Sequence, residues 1–359
     1  MSQIDPDKLK MFSFLLYSKL EGAVTAGMVH LGDKLGLYRH LDVATEPITP
    51  QQLATKAGLS ERWVREWLHN QGAAKLVHHT DDGEYGRFAL SPEARAVLVD
   101  PTSPSYALGM FSRLPDTMNM LGEMPESFRT GIGHDYDSHG PNGAAGIERS
   151  FAPWYTNYLL PVGIPSLDGV HDKLEAGGLV ADVGCGAGMA VLMLAERFPN
   201  SEFYGYDISH HALERARASQ TSLGITNAFF HDPRERPMPQ DGSHDLVTTF
   251  DCIHDMTRPD LMLDTIRQSI KPDGTWLWVE IKAKDTYQEN LKNPMAALMY
   301  GISILSCMNS ALSEAGGLGL GTLGLSESRA RSMAEVAGFS RFRRLDIEHP
   351  MNAFFEVRP

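Results

Sequence analysis

Cysteine is nearly absent from this 359-residue chain. The three that occur, Cys185, Cys252 and Cys307, are odd in number and far apart, so they fit neither a disulfide framework nor a paired-cysteine metal site. A reducing cytoplasm is the expected environment, and no metal centre is expected. Positive charge is also in short supply. Against 45 Asp and Glu stand 32 Lys and Arg, a formal net charge of −13 that repels phosphate backbones and anionic membrane surfaces. Neither nucleic acid nor membrane is therefore an expected partner. Long apolar runs are missing too: the longest uncharged one, Ala296 to Leu312, falls short of the roughly 20 residues of a membrane span. It carries Ser303, Ser306, Asn309 and Ser310, and is expected as a buried or cavity-lining helix. The first 20 residues lack the basic and small-residue signals of a secretory leader and carry acids early.

What is present describes an ordinary globular protein, with 42% apolar and 21% charged residues. The length exceeds what one hydrophobic core usually serves, which predicts more than one domain. From Lys8 to Leu41 apolar residues recur at helical intervals, as in a self-associating helical region. The block "ITPQQLATKAGLSERWVREWLHNQGAAKLVHH" reads as helix, turn at Gly58, and a second helix capped by Ser60. Trp63, Val64, Trp67 and Leu68 are its expected core residues. "DDGEYGRFAL" adds a hairpin with its turn at Asp82-Gly83. Together they predict a winged helix over residues 1–100, a segment with 11 basic and 13 acidic residues. Without a basic face, dimerisation is favoured over DNA binding.

Residues 101–165 read as a connector and roof for a ligand site, with Tyr136, His139, Trp154 and Tyr155 as candidate substrate contacts. From residue 166 onwards short apolar strands alternate with amphipathic helices, which predicts a parallel sheet covered on both faces. Such sheets bind ligands beyond the carboxyl ends of their strands. The first strand ends in "DVGCGAG", with Asp182 before Gly184, Gly186 and Gly188. A dinucleotide fingerprint would put a third glycine where Met189 stands, so a nicotinamide cofactor is disfavoured. An acid ahead of the glycines suits a cationic, phosphate-free ligand better than a pyrophosphate. Asp207 ends the second strand, where a carboxylate can accept ribose hydroxyls. Asp232 ends the third, within reach of an adenine amino group.

Over residues 179–281 these motifs resemble the Rossmann-like S-adenosylmethionine-dependent methyltransferases: "VADVGCGAG", "YGYDIS", "HDPRERPMPQDGSHDLV" and "IKPDGTWLWVE", in that order. The resemblance implies a seven-stranded α/β sheet with its last strand antiparallel, behind an N-terminal, mainly helical winged-helix domain. It assigns Asp182 and the glycine loop to the methionine portion of S-adenosyl-L-methionine, Asp207 and Ile208 to the ribose, and His231, Asp232 and Pro233 to the adenine. Phe250 and Asp251 are expected to form the cofactor's wall. The front end narrows the likeness to small-molecule O-methyltransferases, which implies a homodimer joined through the N-terminal domain. In that family a histidine in "HDW" after the fourth strand is the base. Here His254-Asp255-Met256 stands at that place without the tryptophan, and His254 is read as general base or as a substrate-orienting group. Asp255 is expected to cap the next helix or to orient the imidazole. The insertion at 282–324, with Met299 and Tyr300, is expected over a hydrophobic or aromatic acceptor, and its glycine run, 316–324, as a flexible lid hinge. Oxygen is the preferred acceptor atom; carbon, nitrogen and sulfur remain open, as does a winged-helix regulator that senses the cofactor.

Overall fold

The computed structural model describes residues 4–359. The chain forms two compact units, one up to Pro115 together with Arg149–Pro153, the other from Asp116–Glu148 and Trp154–Pro359.

The first unit begins with a 29-residue helix, Pro6–Lys34. Asp5 caps it by accepting from the backbone N–H groups of Asp7 and Lys8, and Pro6 takes a first-turn position where no N–H is needed. The helix Pro50–Ala57 starts in a reciprocal Thr49/Gln52 capping box and ends at Gly58 in the left-handed region. Helix Glu61–Ala73 follows, and then an antiparallel hairpin of β1 (His78–Thr80) and β2 (Arg87–Ala89). Two expectations are corrected here. Ser60 occupies the cap position of Glu61–Ala73, but its hydroxyl makes no capping bond. Trp63 is 80% exposed, because Val64, Trp67, Leu68 and Gln71 form the buried stripe and Trp63 lies off its edge. Trp67 packs edge-on to Tyr38 and donates to the Met28 carbonyl at 2.8 Å.

The second unit is built on seven strands: β3 (Leu179–Val183), β4 (Glu202–Tyr206), β5 (Ala228–His231), β6 (His244–Phe250), β7 (Ile270–Ile281), β8 (Arg341–Arg344) and β9 (Asn352–Arg358). Their spatial order is β5-β4-β3-β6-β7-β9-β8. β3 to β7 run parallel, while β9 lies antiparallel between β7 and β8. Chain order reverses between β3 and β6, where Asp182 stands in register with Thr248. A crevice opens at such a reversal because the connecting chains leave in opposite directions. The core under it is firm. Trp276 and Trp278, two residues apart and so on one face of β7, stack at 4.3 Å with no exposed surface.

The insertion after β7 also departs from expectation. Its apolar stretch forms two helices, Ala296–Leu305 and Cys307–Ala311, broken at Ser306, where φ is −139° and ψ is −82°. The glycine run is no free hinge: Leu320, Thr322 and Leu323 are buried, and the N–H groups of Leu318 and Gly321 donate to the carbonyls of Thr257 and His254.

Candidate functional site

Three carboxyl-end loops meet at the reversal point. After β3 the backbone turns through Gly184, Gly186 and Gly188, all with φ between 54° and 75°. At Gly184 and Gly188 the fold itself demands glycine, because a Cβ would lie 2.7 Å from Cys252 or 2.5 Å from Phe230. At Gly186 a Cβ would meet open space, so that position faces the crevice. The loop is pinned from the next strand: Asp207, just beyond β4, accepts from the N–H of Gly186 and of Ser209, both at 2.7 Å. Burial raises the Asp207 carboxyl above its ordinary value even against these two bonds.

Asp182 is 1% exposed. Its Oδ1 accepts from the Thr248 hydroxyl at 2.7 Å, while its Oδ2 is buried without a partner. Burial, with Asp207 adding repulsion, pushes the group up to about 7. A buried carboxylate with an empty oxygen is a place for a cationic donor. At the far end of the crevice His231 keeps a buried Nε2 without a partner, and burial depresses its basicity. Asp232 is held by Arg234 at 2.6 Å, and Arg234 also donates to the Ile208 carbonyl at 2.7 Å. Pro233 lies between the two, half-buried.

Beyond β6, Phe250 is buried, and Asp251 takes φ of 51° in the left-handed region. Asn352 holds that conformation by donating Nδ2 to both Asp251 carboxylate oxygens at 2.7 Å. A 3-10 turn, Ile253–Asp255, then presents His254, which is 1% exposed. Its Nδ1 faces Glu280 Oε2 at 2.7 Å, and its Nε2 is buried with no partner. Glu280, 2% exposed, also accepts from Trp278 Nε1 at 3.3 Å, so both its oxygens are engaged. Burial alone would make His254 a weaker base. The Glu280 carboxylate and the Cys307 thiol outweigh burial and hold the imidazole well above its ordinary value. The partner that orients His254 is thus Glu280 rather than Asp255. Nor does Asp255 cap a helix: Pro259–Ser269 starts at Arg258 with no side-chain capping bond.

Residues 133–139 meet the insertion after β7 through hydrogen bonds. The N–H of Gly133 donates to the Leu312 carbonyl at 2.8 Å and that of His134 to Asn309 Oδ1 at 2.9 Å. His139 Nε2 lies 3.3 Å from the Ser306 hydroxyl, and Tyr136 packs edge-on to His139. On the other side Ser209 Oγ donates to Asp137 at 2.7 Å, which ties this segment to the loop after β4. Trp154 and Tyr155 both pack edge-on to Phe250, and Trp154 stacks on Phe354 at 5.6 Å. These aromatics therefore back the end of β6. The Met299 sulfur accepts from Asn293, and Tyr300 tilts against Tyr287.

Glu280, Asn352, Thr248 and Cys307 are brought to this region by the fold, with no local motif of their own. Glu280 alone left a trace, as a charged residue inside the otherwise apolar "WLWVEI"; a carboxylate there must have a partner.

Residues 174–338 match the family described as methyltransferase domain, and residues 23–100 match that described as Rv2258c-like winged HTH domain. The methyltransferase ungE' of Aspergillus campestris is 25% identical over 164 residues, 45% of this chain and 44% of that protein. The match thus spans less than half of that relative's length. In fold, the chain is similar to human N-acetylserotonin methyltransferase at 17% identity and a TM-score of 0.69, covering 100% of this chain and 99% of that one. It is equally similar to mitomycin 7-O-methyltransferase, at 19% identity and a TM-score of 0.68, covering 99% and 100%. The chain thus carries a winged helix-turn-helix domain followed by a methyltransferase domain.

Proposed function

We propose that the protein transfers a methyl group from S-adenosylmethionine to a hydroxyl oxygen of a small, hydrophobic or aromatic molecule, with His254 as general base. The observation that carries this reading is the buried His254–Glu280 pair, whose free Nε2 sits at the end of β6 beside the glycine-loop crevice. The donor supplies a sulfonium-activated methyl group. Asp182 Oδ2 receives its ammonium, Asp207 its ribose hydroxyls alongside Ile208, and His231, Asp232 and Pro233 border its adenine. Phe250 and Asp251 wall the crevice, backed by Trp154 and Tyr155. Tyr136 and His139 belong to the acceptor side, under the roof. Glu280 fixes the imidazole tautomer with the proton on Nδ1, which leaves Nε2 to take the acceptor's proton while the crevice aligns the reacting atoms. The fold likeness to N-acetylserotonin and mitomycin 7-O-methyltransferases supports a small-molecule acceptor.

Calorimetry on the full chain is expected to show S-adenosylmethionine binding that Asp207→Ala abolishes, with circular dichroism unchanged. Unaltered affinity would remove Asp207 from the site. A radiolabelled-methyl screen over phenols, amines and thiols then reads the acceptor atom.

The winged helix we assign to homodimerisation in the cytoplasm. Helix Pro6–Lys34 exposes Met11, Phe12, Phe14, Leu15, Leu16 and Tyr17, each more than half accessible, a surface suited to burial against a second copy. The helix Glu61–Ala73 pairs its own charges, Arg62 with Glu66 and Arg65 with Glu61, which leaves little for a phosphate backbone. Deleting residues 1–24 is expected to convert a dimer to a monomer in light scattering; an unchanged mass would refute this assignment.

A further inference from the structure

No metal-ligand spacing is visible in the sequence, yet the fold gathers His254, Asp255 and Cys307 from the β6 loop and the lid. One ligand atom from each lies within 4.8 Å of the other two. Nδ1 of His254 is committed to Glu280, so the nitrogen facing this cluster is Nε2, buried and without a hydrogen-bond partner. Cys307 is a free thiol, half-buried, at the start of the helix Cys307–Ala311.

We infer that His254 Nε2, Cys307 Sγ and an Asp255 carboxylate oxygen form a three-ligand site for a thiophilic divalent cation of the zinc class. Three observations carry this. The donor set is imidazole, thiolate and carboxylate; sulfur and nitrogen select zinc-like ions over magnesium or calcium, which prefer oxygen alone. Tetrahedral ligands of zinc stand about 3.5 Å apart, given metal–nitrogen and metal–sulfur bonds of about 2.0 and 2.3 Å, so the cluster closes with a movement of roughly 1 Å. Behind the histidine stands a carboxylate on the opposite nitrogen, the arrangement that orients metal-binding imidazoles and raises their affinity. Glu280 is itself fixed by Trp278, so this support is rigid.

Binding displaces the thiol proton and the proton on His254 Nε2, and leaves the fourth position to water. It also occupies the lone pair that would accept a proton from the methyl acceptor. A zinc-class ion therefore silences methyl transfer, and this consequence rests on His254 acting as the base; the binding does not.

The test uses the full-length protein, with cobalt(II) as a spectroscopic probe. Titration is expected to give one cobalt per chain, with a near-ultraviolet thiolate-to-cobalt charge-transfer band. Cys307→Ser should abolish the band, while Cys185→Ser and Cys252→Ser should keep it. Glu280→Gln should weaken cobalt binding about 10–100-fold, as loss of an outer-shell partner does. Asp255→Asn should weaken binding while retaining the band, which keeps the test decisive should Cys307→Ser misfold. Absence of the band, or its persistence in Cys307→Ser, overturns the site. A His254→Ala variant that methylates at the normal rate would refute the base and leave the cobalt result standing.

Discussion

Glu280→Gln is expected to lower turnover by roughly 10²–10⁴-fold with S-adenosylmethionine affinity unchanged. The reason lies in hydrogen-bond bookkeeping at one buried point. Trp278 Nε1 can only donate, so a glutamine at 280 must turn its carbonyl to the indole and its NH₂ to His254 Nδ1. Nδ1 then has to accept, the proton moves to Nε2, and the imidazole faces the acceptor with no lone pair to offer. Glu280→Asp keeps the charge and should recover part of the rate. The pH dependence carries a second signature. Because the pair holds His254 above its unperturbed value of ~6.5, the wild-type rate should rise along an alkaline limb set by that raised value. In Glu280→Gln only the Cys307 thiol still opposes burial, and the limb moves to lower pH. The same raised value makes the pair stabilising in the free protein below ~6.5. That contribution is lost as pH rises through the folded-state value. A rate within tenfold of wild type on a phenol acceptor would show that the pair is not used.

The parts of this molecule that were legible in the sequence are those where a local pattern answers to one physical cause. Buried parallel strands must be apolar throughout, and the glycine loop must be glycine where a Cβ would strike Cys252 or Phe230; both are written in runs of adjacent letters. The partner of His254 is not, because it arrives from the neighbouring strand. Phe250 stands in register with Val279, which sets Glu280 beside the first turn after β6, whereas Asp255 is next in sequence but follows His254 around a 3-10 turn. Trp63 was misjudged for a related reason: two tryptophans within one helix look alike in composition, and only the angle about the axis decides which is buried. The lid was misread where backbone contacts override composition. "GGLGLGTLG" has the letters of a flexible hinge, but the N–H groups of Leu318 and Gly321 donate to the carbonyls of Thr257 and His254, so it braces the loop after β6 instead.

Asp182→Asn is expected to weaken S-adenosylmethionine binding by roughly 30-fold, since a charge-assisted buried bond of about 3 kcal/mol is replaced by a neutral one of about 1 kcal/mol. Stability should move the other way. In the free protein Asp182 is raised to about 7 by burial, far above the ~3.9 of an unfolded chain. Its contribution to stability is therefore full below ~3.9 and is lost as pH rises towards about 7, where the carboxyl ionises against its surroundings. An asparagine cannot ionise, and it keeps an amide oxygen for the Thr248 hydroxyl, so the variant should gain stability relative to wild type at pH above about 7. The ligand reverses this balance. An ammonium against Oδ2 favours the ionised form, so binding below pH about 7 should expel a proton from Asp182 and tighten as pH rises to that value. Calorimetry in buffers of different ionisation enthalpy reads the proton directly: release in wild type and none in Asp182→Asn. Equal proton release in both proteins would remove Asp182 from the ammonium site, whatever the affinities.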